Sequence, residues 1–252
     1  MRFLTAARDL ARRKARERDG LFVVEGVRAT EELLRSSVEA IGVLCGPQLG
    51  ETARGAALSV AARARGVPIS EVTEREFASA AATESPQGVL AIARVPARNF
   101  LALRGRDGLR LLVLDAIQDP GNVGTLIRTA HALGADATIA LPGTVDVWNA
   151  KVVRSSMGAI FFHHAMTASF ADLSTFLGDE GVELWAADVG GAPLGTRSPG
   201  RRVALVVGNE GSGLTPAVRS RAVHTVSLPI AAEVESLNVA VAAGILLYGL
   251  RP

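Results

Sequence analysis

Short apolar runs closed by glycine, proline or polar clusters alternate along this chain with longer stretches whose apolar positions recur at helical spacing. The pattern predicts a helix over 4–18, ended by Gly20, then a strand over 21–24 and a turn at Glu25-Gly26. A helix over 27–36, a strand over 41–44 and an alanine-rich helix over 52–65 follow, the last stopped at Gly66. Residues 67–72 read as a strand. Thr73 caps a helix over 74–82, with Glu76 at capping-box spacing, and a strand over 88–93 completes the set. Residues 1–95 thus form a small α/β domain, and 96–108, mixed in character with arginines and glycines, read as a linker.

A second domain over 109–252 repeats the alternation. Strands are expected at 111–114, 137–141, 161–166, 182–187, 203–207 and 225–228. Helices are expected at 125–133, 146–155, 169–177 and 237–250, with a polar, glycine-rich turn over 115–124. The fold class is α/β, with a mostly parallel sheet covered on both faces. Such sheets bind ligands beyond the carboxyl ends of their strands.

Composition narrows this picture without changing it. At 48% hydrophobic and 21% charged over 252 residues the chain is globular rather than disordered. A formal net charge of +2 does not by itself indicate nucleic-acid binding. The single cysteine, Cys45, lies in an apolar run and excludes an intrachain disulfide framework. His131, His163, His164 and His224 lack ligand spacing, so no metal site is expected. The N-terminus is amphipathic and charged rather than leader-like, and no apolar run reaches the roughly 20 residues of a membrane span. No membrane association and a cytoplasmic location are expected. Arg8, Arg12, Arg13 and Arg16 concentrate positive charge in the first helix, facing Asp9, Glu17 and Asp19. They form either a solvated face with ion pairs or a patch for an RNA backbone.

Three polar loops follow strands of the second domain. The first carries Asn122 and then Arg128. The second, Gly208-Asn209-Glu210-Gly211-Ser212-Gly213, is neither a phosphate-binding GxxxxGK[ST] loop nor the GxGxxG dinucleotide fingerprint. The third runs from Pro229 past Glu235 and Ser236 to Asn238. Each has a plain reading as a turn, an ion pair or a helix cap.

Together, Asn122-x-Gly124-x-x-x-Arg128, Val207-Gly208-Asn209-Glu210-Gly211-x-Gly213-Leu214, and Leu228-Pro229-Ile230 with Ser236-Leu237-Asn238-Val239-Ala240-Val241-Ala242 resemble the three motifs of the SpoU (TrmH-like) RNA ribose 2′-O-methyltransferases of the SPOUT superfamily. The segment Arg154-Ser155-Ser156-Met157-Gly158-Ala159 matches a small-residue loop between the first two. The likeness covers roughly 109–252; the N-terminal domain more loosely resembles an L30e-like substrate-binding domain, at 13–26 and 28–34. One departure is Ala232, where the third motif commonly has glycine.

The resemblance implies S-adenosyl-L-methionine (SAM) as cofactor, a trefoil knot near the C-terminus, a homodimer through the last helix, and RNA, most of all 23S rRNA, as substrate. It places SAM against Val207, Gly208, Leu228, Ile230 and Leu237, and the chemistry at Arg128, Asn122, Glu210, Ser236 and Asn238. A guanidinium that stays protonated at neutral pH is a poor base, so holding a phosphate or stabilising a developing alkoxide are the alternatives for Arg128. A tRNA substrate, a non-catalytic RNA-binding or assembly role, and methylation conferring antibiotic resistance stay open in the sequence.

Overall fold

The chain divides after Ala97. Met1–Ala97 joins Trp148–Phe162 in one unit, and Arg98–Val147 joins His163–Pro252 in the other. The computed structural model describes residues 3–231 and 233–251, so the departure at Ala232 lies outside the described residues.

The first unit opens with α1 (Phe3–Asp9) and α2 (Arg13–Asp19) rather than with one helix over 4–18. Arg16 makes the break: its guanidinium donates to the carbonyls of Leu10 at 2.8 Å and Ala11 at 3.0 Å, satisfying groups that the interrupted helix leaves open. Leu10 is thereby buried in the same cluster as Ala7, Leu21 and Phe77. Gly20, in the left-handed region at φ 63°, ends α2.

Then come β1 (Leu21–Glu25), α3 (Val27–Arg35), β2 (Ala40–Cys45), α4 (Ala53–Ala64), β3 (Ile69–Glu71), α5 (Glu74–Ala78) and β4 (Val89–Arg94). The Thr73–Glu76 capping box forms as the sequence predicts. The sheet order is β1-β4-β2-β3, with β4 antiparallel to both neighbours and β3 parallel to β2.

From Arg98 on, the expected linker over 96–108 is part of the second unit. Phe100–Leu103 forms a 3₁₀ turn, Phe100 stacks on Phe176 at 4.5 Å, and Arg104 pairs with Asp179 at 3.0 Å. Beyond it lie β5 (Leu109–Asp115), α6 (Pro120–Ala132) and β6 (Ala137–Ala140). The helix starts five residues before its expected first turn, with Pro120 in its first turn and the Asp119 side chain accepting from the amide of Asn122 at 2.8 Å.

The chain next contributes α7 (Ala150–Ser155) and α8 (Ala159–Phe162) to the first unit, where Trp148 packs against Phe22 at 4.5 Å. Sequence patterning assigns this segment to the second domain. Gly158, at φ +90°, lies so close to Glu32 that a Cβ would sit 2.6 Å from its side chain, so both strain and space select glycine.

The strand expected at 161–166 is instead α8 followed by β7 (His164–Thr167). α9 (Phe170–Asp179), β8 (Glu183–Pro193), β9 (Arg202–Gly208), α10 (Pro216–Arg221), β10 (His224–Ser227) and α11 (Val239–Gly249) complete the chain; α10 was not anticipated. The six strands stand in the order β10-β8-β9-β5-β6-β7, and every adjacent pair is parallel.

Alternate residues of β5 serve opposite faces. Leu109, Leu111 and Val113 join Leu173, Phe176 and Leu177 of α9 in one core cluster. α6 and α11 pack against each other, and a Cβ on Gly244 would meet Thr129 at 3.3 Å. Arg110 donates to the carbonyls of Leu133 at 2.9 Å and Leu247 at 2.7 Å, so one guanidinium holds the C-terminal ends of both helices. Among the described residues no helix is long and apolar enough to cross a membrane.

Candidate active site

β5 and β9 run side by side and finish level, with Asp115 opposite Gly208. Their loops are then cross-tied. Asp115, buried at the end of an apolar strand, accepts from the amide of Thr215 at 2.6 Å. Asn209 donates to the carbonyl of Ala116 at 3.0 Å and accepts from the amides of Gly211 and Ser212 at 2.9 and 3.0 Å. Ala116 is held at φ 59°, a conformation that costs an L-residue energy and survives only where surroundings enforce it. Asn209 and Gly213 exchange main-chain hydrogen bonds, closing the glycine-rich loop into a tight ring. A Cβ on Gly208 would lie 2.5 Å from the Gly213 carbonyl carbon, so the ring closes only over glycine.

This ring forms one wall of a cavity of about 560 Å³. Val207, Gly208, Leu228, Ile230 and Leu237 all line it, joined by Val226, Ala242 and Leu246. Glu210, Ser236 and Asn238 stand at the same cavity, as do two residues that sequence reading passed over, Asp188 and Arg219. Asp115 carries no assigned role in the sequence, although a carboxylate ending an apolar run is a legible signal, and Asn209 enters there only as a motif position.

Asn122, Glu210 and Asn238 meet in one chain of hydrogen bonds. The Asn238 side-chain oxygen caps α11, accepting from the amides of Ala240 at 2.9 Å and Val241 at 3.3 Å. Its Nδ2 therefore faces Asn122 and donates to Oδ1 at 3.1 Å. With its oxygen used, Asn122 turns Nδ2 to Glu210 Oε1 at 2.7 Å. A helix cap thus fixes the direction of both amides and the position of the carboxylate.

Arg128 lies on α6 six residues beyond Asn122, which is about 9 Å along the helix and about 120° around it. It is exposed, without a partner among the described residues, and outside the cavity lining. Ser236 is exposed at the rim.

The basic patch resolves into unlike residues. Arg12 pairs with Asp9 at 2.6 Å, Arg13 with Glu17 at 2.7 Å, and Arg8 donates from Nε to Ser79 at 2.9 Å. These three side chains are exposed. Arg16 is 5% exposed and donates to the main chain at the α1–α2 break, unlike the three exposed arginines.

An all-parallel α/β sheet whose carboxyl edge carries an apolar cavity, a glycine ring and an Asn–Glu–Asn network defines the class of α/β proteins that take a small, partly apolar ligand at strand ends. The chain belongs to the SpoU rRNA methylase family, matching it over residues 110–248, and it matches an MRM3-like substrate binding domain over residues 4–91. It is 34% identical over 240 residues, 95% of this chain and 92% of the relative, to the 23S rRNA (guanosine(2553)-2'-O)-methyltransferase RlmP of Bacillus subtilis. The AdoMet-bound rRNA methyltransferase from Sinorhizobium meliloti superposes with a TM-score of 0.86 at 28% identity, covering 99% of this chain and 94% of that one. The SpoU methyltransferase AviRb from Streptomyces viridochromogenes, in complex with AdoMet, gives 0.87 at 26% identity over 99% and 97%.

Proposed function

We propose that this protein transfers the methyl group of SAM to a ribose 2′-hydroxyl of 23S rRNA. The observation that carries this reading is the cavity at the carboxyl ends of β9 and β10, bordered by Glu210 and Asn238 and joined through them to Asn122. The residues fit the cofactor. A volume of about 560 Å³ lies within the roughly 300–1,000 Å³ typical of small-ligand sites. Val207, Leu228, Ile230 and Leu237 offer apolar surface to an adenine ring, main-chain groups at the strand ends offer hydrogen bonds to its edge, and Glu210 supplies negative charge for a cationic sulfur centre.

When bound, SAM supplies a methyl already activated by the sulfonium charge. The chain's own residues orient and stabilise. Asn122 and Asn238 hold Glu210, whose carboxylate has no other partner among the described residues and is placed to accept the hydroxyl proton or to order the ribose. Arg128, exposed and unpaired among the described residues, holds the RNA phosphate or the developing alkoxide, and Ser236 shapes the rim.

Arg8, Arg12 and Arg13 serve the RNA backbone in the first unit. The chain from β9 to α11 is read as tied in a trefoil knot, on the strength of its family. α11 turns Ala240 and Ala243 inward but leaves Val241, Ile245 and Tyr248 52, 44 and 59% exposed, which supports a homodimer through this face. A ribosomal RNA substrate supports a cytoplasmic location.

Purified protein incubated with methyl-labelled SAM and 23S rRNA should label the RNA, and mass spectrometry of the digest should find the label on a ribose 2′-oxygen. Label on a base, on tRNA alone, or on no RNA overturns the proposal. Light scattering giving a monomer overturns the dimer.

A further inference from the structure

β8 does not run evenly beside β10. Thr225 pairs with Ala186, but the next residue, Val226, pairs with Ala192, so residues 187–191 bulge out of the ladder. Ala187, Asp188 and Val189 of this bulge line the cavity. Asp188 Oδ2 is bound at 2.5 Å by NH1 of Arg219, which comes from α10 and lines the cavity too. The Asp188 side chain is only 17% exposed and that of Arg219 is 56% exposed. Glu210, the other charged side chain lining the cavity, is held by Asn122. A half-buried carboxylate in a mainly apolar wall loses part of its hydration, and an exposed cation across from it offsets that only in part.

We propose that Asp188 and Arg219 form the subsite for the zwitterionic amino-acid head of the methyl donor, an assignment that rests on SAM being the cofactor. The head carries an ammonium and a carboxylate on one carbon. Asp188 accepts from the ammonium. Arg219 keeps one edge on Asp188 and offers remaining N–H groups to the carboxylate, turning a two-membered ion pair into a four-membered one. The bulge brings Asp188 to the wall, and α10 supplies its partner. Adenosine walls and head subsite then fix the two ends of the donor, leaving the sulfur between them.

The test is calorimetric binding of three probes to the full chain: SAM, S-adenosylhomocysteine, which keeps the head, and 5′-methylthioadenosine, which lacks it. Asp188→Asn and Arg219→Gln should each weaken SAM and S-adenosylhomocysteine about 10- to 100-fold, the loss of one charge-assisted hydrogen bond. Binding of methylthioadenosine should stay within about twofold. Equal losses for all three probes overturn the assignment, because they place the pair against the ribose or show it to be a wall support. Unchanged binding of all three overturns it as well. If the unaltered protein binds none of the probes, the SAM reading itself falls and this assignment with it. Should Asp188→Asn fail to fold, Arg219→Gln, at a side chain that is 56% exposed, reads the same difference.

Discussion

Asn122 is the joint between two loops far apart in the chain, and its amide is directed by a helix cap rather than by its own neighbours. Arg128, on the same helix, is the reverse case: a cation with no partner among the described residues. Arg128→Ala should leave SAM affinity within about twofold and lower methyl transfer about 10²-fold or more, the effect of removing one charge-stabilising donor. Calorimetry and single-turnover labelling check the two halves of that statement.

His163 gives a prediction at the same scale. It is buried and shares a 2.8 Å hydrogen bond with Thr138. Burial, with repulsion from His131, Arg98 and His164, lowers its pKa from 6.5 to about 3. The unfolded chain therefore takes up a proton that the folded chain refuses between those values. Stability from this residue is complete above pH 6.5 and is lost as pH falls toward 3. Moving from pH 7 to pH 5 should cost the protein about 2 kcal/mol more than it costs His163→Gln. Urea unfolding at the two pH values measures the difference; parallel losses would refute it.

At the scale of elements, local chemistry was legible wherever its partners lie within a few residues. The Thr73–Glu76 capping box is such a case. The start of α6 was legible in principle, since Asp119-Pro120 is a cap followed by a first-turn proline, but the glycines of 115–124 read as a turn. The split of α1 from α2 was not legible, because periodicity carries no sign that Arg16 folds back on Leu10 and Ala11. Gly208 belongs to this scale as well. Gly208→Ala forces the ring away from Gly213, so SAM binding should fall below detection by calorimetry. The first unit's secondary structure should persist in circular dichroism. Retained affinity would show that the ring does not shape the site.

For the whole molecule, a net charge of +2 hides a local surplus. Arg12 and Arg13 are exposed and form surface ion pairs with Asp9 and Glu17, which are worth little and can be exchanged for phosphate contacts. Arg12→Glu with Arg13→Glu should weaken rRNA binding and flatten its dependence on salt, with SAM affinity unchanged. Filter binding across a salt series checks this, and an unaltered slope removes these residues from the RNA face.

The sequence by itself determined the α/β class, the parallel sheet of the second domain, and the three polar loops, two of which line the cavity, because hydrophobic period and glycine or proline punctuation are local and strongly constrained by backbone sterics. Only tertiary structure decided that Trp148–Phe162 belongs with the first unit and that Arg16 is buried. It alone joined Asn122 to Glu210 and Asn238 across 88 and 116 residues, and set Asp188 against Arg219. Such contacts depend on strand order and on where a ladder slips, and those are settled by packing of the entire sheet rather than by residues adjacent in the chain.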